Sequence, residues 1–288
     1  MNPYTMTVAY PLSFSGQPIT LPLDSIQPVV RPLDHPPFST DFLSCVFQPQ
    51  IGLMDQRIKG VELLLRGKTN GYNLSGDQCI QWASDHEKKE SVNHWVIEQA
   101  VCHASLIPHN VMMSFNICAQ DLSMDIAQFL IKTLSVQNIT PEKICVEITE
   151  HFPPKSFTDL VKVCRFLRRH GVKIAIDDFG TGHATLSYLV ALELDFIKID
   201  KSYVRDIALV AAKEKILKSL LDLVEIAECM LIFEGVEKKE DEAMLINILK
   251  HRSPSWVQGY LYGKPASFNM LDFSMGADTA MHFSKASR

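Results

Sequence analysis

The chain has 288 residues, 47% of them hydrophobic and 21% charged, which is enough to bury one large core or two small ones. Its net charge of −5 offers no general nucleic-acid surface, and it has no run of about 18 apolar residues that would span a membrane. Seven cysteines, odd in number and without a CxxC pair, read as reduced thiols in a cytoplasmic protein rather than as disulfides or a zinc site.

Residues 1–40 hold eight of the 15 prolines, among them Pro36 and Pro37, and show no helical period. They read as an extended arm or linker, and the missing early basic residues argue against a signal peptide. From 41 to about 270, apolar runs alternate with helical stretches. Strands are expected at Phe42–Gln48, Val61–Leu65, Val111–Phe115, Ile144–Val146, Lys173–Ile176, Phe196–Ile199, Met230–Phe233 and Trp256–Val257. Helices are expected at Ser91–Ala104, Gln120–Leu134, Ser156–Arg169, Ala184–Leu192, Asp206–Ala227 and Lys239–Leu249. In the helix 206–227, Ile207, Val210, Ile216, Leu220, Leu223 and Ile226 read as the core-facing stripe. Residues 271–288 read as a tail. Eight strands in this alternation predict an α/β fold, a modified TIM (β/α)8 barrel. The first two strands are too close for a helix between them, so one antiparallel or atypical pair is expected near the start.

Polar residues recur where these strands end: Glu62, Asn116, Glu147, Asp177, Asp200, Glu234 and Gln258. From Asn116 onward the steps are 31, 30, 23, 34 and 24 residues, each about one strand–helix unit. A barrel projects such positions into one ring at the carboxyl ends of its strands. Glu62, Glu147, Asp177, Asp178, Asp200 and Glu234 cannot all stay ionised in one cleft without cations. Oxygen ligands plus one amide carbonyl suit Mg²⁺ or Mn²⁺, and the adjacent Asp177 and Asp178 suit two ions bridged by a carboxylate. Such a pair activates water against a phosphodiester, with Lys198 on the same strand face to steady the attacking hydroxide. Any single acid here would read as a helix cap or a solvated loop residue; the recurrence carries the argument. "GTGHAT" after Asp178 lacks the third glycine of a dinucleotide loop. The ten histidines show no metal-ligand spacing, and no GxSxG elbow is present.

Taken together, "FQP" at 47–49, "ELLLR" at 62–66, "FNI" around Asn116, "EITE" at 147–150, "DDFGTG" at 177–182, "KID" at 198–200, "EGVE" at 234–237 and "QGYLYGKP" at 258–265 resemble the EAL-domain family of bacterial cyclic di-GMP phosphodiesterases. The resemblance implies hydrolysis of cyclic di-GMP to linear pGpG by a homodimer. It implies metal ligation by Glu62, Asn116, Glu147, Asp177, Asp178 and Glu234, with Asp200 in or beside that shell. Lys198 would hold the nucleophilic water, and Glu234 is also viewed as the general base. Arg66 would meet substrate phosphate, while Gln48, Glu237 and Gln258 would position nucleotide or loop. Glu150 would brace the DFGTG loop. Leu63, Phe233 and His183-Ala184-Thr185 depart from the family pattern; the first two are large enough to crowd the barrel mouth. A catalytically inactive barrel acting as receptor or interaction module is the alternative, and motility or biofilm control is suggested by analogy alone.

Overall fold

A computed structural model describes residues 42–69, 71–149, 154–180, 186–250, 252 and 254–273. The chain divides into Met1–Ser39 and Thr40–Arg288, and the described residues all belong to the second unit. The arm, Glu150, His183-Ala184-Thr185 and the tail beyond residue 273 therefore lie outside the described residues.

The described residues form nine strands: β1 (Leu43–Gly52), β2 (Ile58–Thr69), β3 (Tyr72–Leu74), β4 (Met112–Cys118), β5 (Ile144–Thr149), β6 (Lys173–Phe179), β7 (Phe196–Ile199), β8 (Met230–Phe233) and β9 (Ser255–Val257). The sheet order is β1-β9-β8-β7-β6-β5-β4-β2, and β1 also pairs with β2, which closes an eight-stranded barrel. β3 is a short hairpin partner added to β2 outside that ring. From β2 through β9 the barrel strands run parallel. β1 is antiparallel to both of its neighbours, β2 and β9. The five residues between β1 and β2 hold no crossover helix, so the chain can only turn back on itself. All eight expected strands are present, and the expected atypical pair is β1 with β2.

The helices are α1 (Gly76–Asp85), α2 (Lys89–Ala104), α3 (Met124–Val136), α4 (Phe157–Arg169), α5 (Leu186–Ala191), α6 (Lys201–Val204), α7 (Ala211–Ile226) and α8 (Lys239–Leu249). Three begin at serine caps: Ser75, Ser123 and Ser156 each accept a hydrogen bond from a backbone N–H of the first turn. The cap at Ser123 starts α3 later than the pattern implied. α1 and β3 escaped the sequence reading, although "SGDQ" is a capping box in which the Gln78 side chain also returns to the Ser75 N–H.

Two readings need correction around α7. Residues 206–210 are a turn rather than helix: Asp206 takes φ 59°, and the buried Asp241 carboxylate accepts from the Asp206 and Ala208 N–H groups. The buried residues described on α7 are Leu217, Leu221 and Val224; of the expected stripe Ile207 is buried and Leu220 packs on the core, whereas Ile216 is 48% exposed and Val210 40%. Both stripes have helical spacing, so the period alone could not choose between them.

Apolar residues form two cores. The larger fills the space between barrel and helices. The smaller consists of Met112, Cys145, Ala175, Phe196 and Ile232. Each of these five lies two residues before a polar position on its strand, so by the two-residue period of a strand all share the lumen side and floor the barrel. Leu63 and Phe233 have the opposite parity and belong to the larger core, each at most 1% exposed. Their bulk is thus directed away from the lumen, and the expected crowding of the mouth does not arise.

Candidate active site

Above that floor, the same parity lines up Gln48 and Gln50 on β1, Glu62 on β2, Ser114 and Asn116 on β4, Glu147 on β5, Asp177 on β6 and Lys198 on β7. Glu234 and Gln258 follow one residue after β8 and β9. The register supports one layer: Glu62 lies opposite Gln48 and beside Ser114, and Asn116 lies beside Glu147.

Lys198 is the hub. It is 1% exposed, and its Nζ lies 2.6 Å from Glu147, 2.8 Å from Glu234, 2.9 Å from Asp177 and 3.4 Å from Glu62. Burial disfavours its charge, but Asp177, Glu147, Glu234 and Glu62 outweigh that penalty and hold the ammonium well above its ordinary pKa. The acids diverge according to their partners. Burial works against ionised Glu62, yet Lys198 and hydrogen bonds from Gln258 and Asn116 pull its carboxyl below the usual range. Burial, followed by the nearby Glu62 charge, raises Glu147 to about 8. Burial also raises Glu234 well above an ordinary carboxylate.

Asp178 breaks the strand period, since adjacent residues normally point to opposite faces. The structure resolves this with a register shift between Ile176 and Phe179 and with φ 51° at Asp178. Such an irregularity re-aims a side chain, and aspartate tolerates the left-handed region better than most residues. Ligand oxygens of Asp177, Asp178 and Glu234 consequently lie within 4.8 Å of one another, and so do those of Glu62, Glu147 and Asp177. Asp177 belongs to both groups.

This donor set fits hard divalent cations. Five carboxylates around one ammonium leave a formal excess of four negative charges. Asn116 donates from Nδ2 to Glu62 at 2.6 Å, while its buried Oδ1 has no partner among the described residues, which suits a carbonyl ligand.

The remaining sequence candidates are placed as follows. Gln258 donates to Glu62 Oε2 at 2.6 Å and to Gln48 at 3.1 Å; Gln48 in turn donates to the Gly263 carbonyl. Asp200 is buried but outside both carboxylate groups; its carboxylate caps α6 by accepting from Ser202 N–H at 2.8 Å. Burial opposes its ionisation, but the Ser202 bonds and Lys201 hold its carboxyl below the usual range. Glu237 is ion-paired with Arg205 at the rim. Arg66, Lys201, Arg205, Glu237 and Tyr260 join Glu62, Asp177, Asp178 and Glu234 in lining one open cleft of about 1180 Å³. Gln50, fully buried, was missed by sequence reasoning. The signal was available: it stands two residues after Gln48 and so shares its face.

The family model of the EAL domain matches residues 37–265, essentially the whole barrel. The chain belongs to the EAL domain family. This EAL barrel is 29% identical over 225 residues to the signaling protein YkoW of Bacillus subtilis (strain 168), covering 76% of this chain and 28% of that protein. It is 29% identical over 230 residues to the probable cyclic di-GMP phosphodiesterase PdeG of Escherichia coli (strain K12), covering 77% and 44%. The chain thus spans well under half of these relatives. Among solved structures, the EAL enzyme Bd1971 in its cAMP- and cyclic-di-GMP-bound form matches with a TM-score of 0.72 at 26% identity, over 80% of this chain and 64% of that one. No described helix is long and apolar enough to cross a membrane.

Proposed function

We propose that the EAL barrel hydrolyses cyclic di-GMP to linear 5′-pGpG with two divalent cations, Mg²⁺ or Mn²⁺, bound in the carboxylate ring. The observation that carries this reading is the pair of three-carboxylate groups sharing Asp177, with the unpartnered Asn116 carbonyl beside them. Glu62, Asn116, Glu147, Asp177, Asp178 and Glu234 would hold the ions; Asp200, occupied as a helix cap, supports the ring from behind. When bound, the cations supply Lewis-acid activation of water and neutralise charge developing on the phosphodiester.

The chain's own groups do the rest. Lys198 donates to the attacking oxygen and holds it in line with phosphorus. Glu234, with its side chain 18% exposed toward the cleft against 0% for Glu147, would accept the proton of the water once bound cations offset the burial that raises its carboxyl. As the new P–O bond forms, the P–O3′ bond breaks, and the proton that Glu234 takes from the water balances the one the leaving 3′-oxygen takes up through solvent. Arg66 on one wall attracts substrate phosphate, and Gln48, Glu237 and Gln258 keep the mouth and its loops in position. A homodimer is part of the proposal on the family resemblance alone.

Incubating the purified protein with cyclic di-GMP and either ion, then separating nucleotides by chromatography, tests the reaction. Linear pGpG is expected. Tight binding with the cyclic dinucleotide left intact under both ions would favour a receptor instead.

A further inference from the structure

We infer that Gln50 is a positioning residue that sets the orientation of Glu62 and Glu147 toward a divalent cation. This rests on the cation site proposed above and concerns a side chain with no exposed surface, so it touches neither substrate nor reacting atoms.

Its amide nitrogen faces three acceptors from three different strands or strand ends. Gln50 Nε2 lies 3.2 Å from Glu147 Oε1, 3.3 Å from Gln258 Oε1 and 3.5 Å from Ser114 Oγ. The other Glu147 oxygen is held by Lys198 at 2.6 Å, so Gln50 and Lys198 together fix the plane of that carboxylate.

The contact with Gln258 acts one step further out. An amide side chain can present either its NH₂ or its oxygen to a neighbour. By donating to Gln258 Oε1, Gln50 commits that end of the group, which turns the Gln258 NH₂ toward Glu62 Oε2 at 2.6 Å. Without this donor, the Gln258 oxygen is left unheld and only the contacts of its NH₂ with Gln48 and Glu62 still orient the group. A single amide therefore governs ligands on β2 and β5, one from each side of β4.

The backbone has made room for it. Gly60 lies opposite Gln50 across the β1–β2 pair, and a Cβ there would clash with Gln50 Oε1. That oxygen has no hydrogen-bond partner. The cost of burying it unpaired is borne where the nitrogen end has three acceptors, so the amide is held by its donor end.

Outer partners of metal ligands change affinity by about 10- to 100-fold when removed. Gln50→Met keeps length and volume while removing the donor. Mn²⁺ binding is measured by calorimetric titration, alongside thermal unfolding in EDTA. Gln50→Met is expected to weaken Mn²⁺ binding by about tenfold or more, with unfolding in EDTA little changed and turnover recovering as Mn²⁺ is raised. Gln50→Asn, which keeps the amide but withdraws it by one methylene, is expected to weaken Mn²⁺ in the same direction and decides the matter if the methionine variant fails to fold. Mn²⁺ affinity equal to the parent's in a folded variant would overturn the role of Gln50. No Mn²⁺ binding by the parent itself would overturn the cation reading, and this inference with it.

Discussion

Replacing Lys198 by methionine removes the positive charge at the centre of the ring while keeping most of its volume. Four carboxylates lie within 3.4 Å of Nζ, and the group is 1% exposed. Breaking a buried ion pair by deleting one partner costs about 3–5 kcal/mol, because the opposite charge stays buried without compensation. At about 2–4 °C per kcal/mol for a domain of this size, Lys198→Met should lower Tm by roughly 6–20 °C in EDTA. The loss should depend on pH. Glu147 is raised to about 8 even with the lysine present. A carboxyl with a raised folded pKa contributes stability that is present below its ordinary value and lost as pH rises through the folded value. The deficit should therefore be small near pH 4.5, where the acids take up protons, and grow up to pH 8 and above. Saturating Mn²⁺ should restore part of it, since a ligand at 100 times its Kd stabilises by about 2.7 kcal/mol. Scanning fluorimetry between about pH 4.5 and 9, with EDTA or Mn²⁺, measures all three effects. A variant melting within a degree or two of the parent in EDTA at pH 8 would refute the reasoning.

Other outcomes follow from single contacts. Glu62→Ala should abolish release of pGpG while circular dichroism stays that of the parent; retained turnover would remove Glu62 from the ligand set. Lys143 is a buried lysine donating to the Ala104 and Ile107 carbonyls at 2.7 and 3.0 Å, with its pKa lowered by burial. Lys143→Met strands both carbonyls and should cost about 1–3 kcal/mol for each group left unpaired, measured by denaturant unfolding. A Cβ at Gly259 would meet the Val236 backbone, which is itself hydrogen-bonded to Gln258 and Leu261. Gly259→Ala should thus destabilise by about 1–3 kcal/mol and loosen the loop after Glu234, which reduced thermal stability together with reduced turnover would register.

Most of the barrel was legible because its strands are short apolar runs separated by helical patterns. The floor residues and the polar ring share one strand parity, so a ring at the strand ends could be placed without coordinates. Three things were not legible, each for a physical reason. The apolar residues of α7 form two overlapping stripes, and which one is buried depends on what packs beneath it. The short α1 with β3 is held by a capping box and a hairpin rather than by a long periodic pattern. How Asp178, already named from the sequence, joins the ring is the third: β6 slips register and the backbone turns left-handed there, which no spacing reveals. Asp200 had the right position and the right chemistry, but the amide of Ser202 takes its carboxylate.

The most direct test of the two-cation ring is a crystal structure with cyclic di-GMP and Ca²⁺, with the ions located by anomalous scattering. The expected result is two ions, one held by Glu62, Glu147 and Asp177, the other by Asp177, Asp178 and Glu234, with a substrate phosphate across them. Bound cyclic di-GMP with the ring holding a single ion, or none, would contradict it.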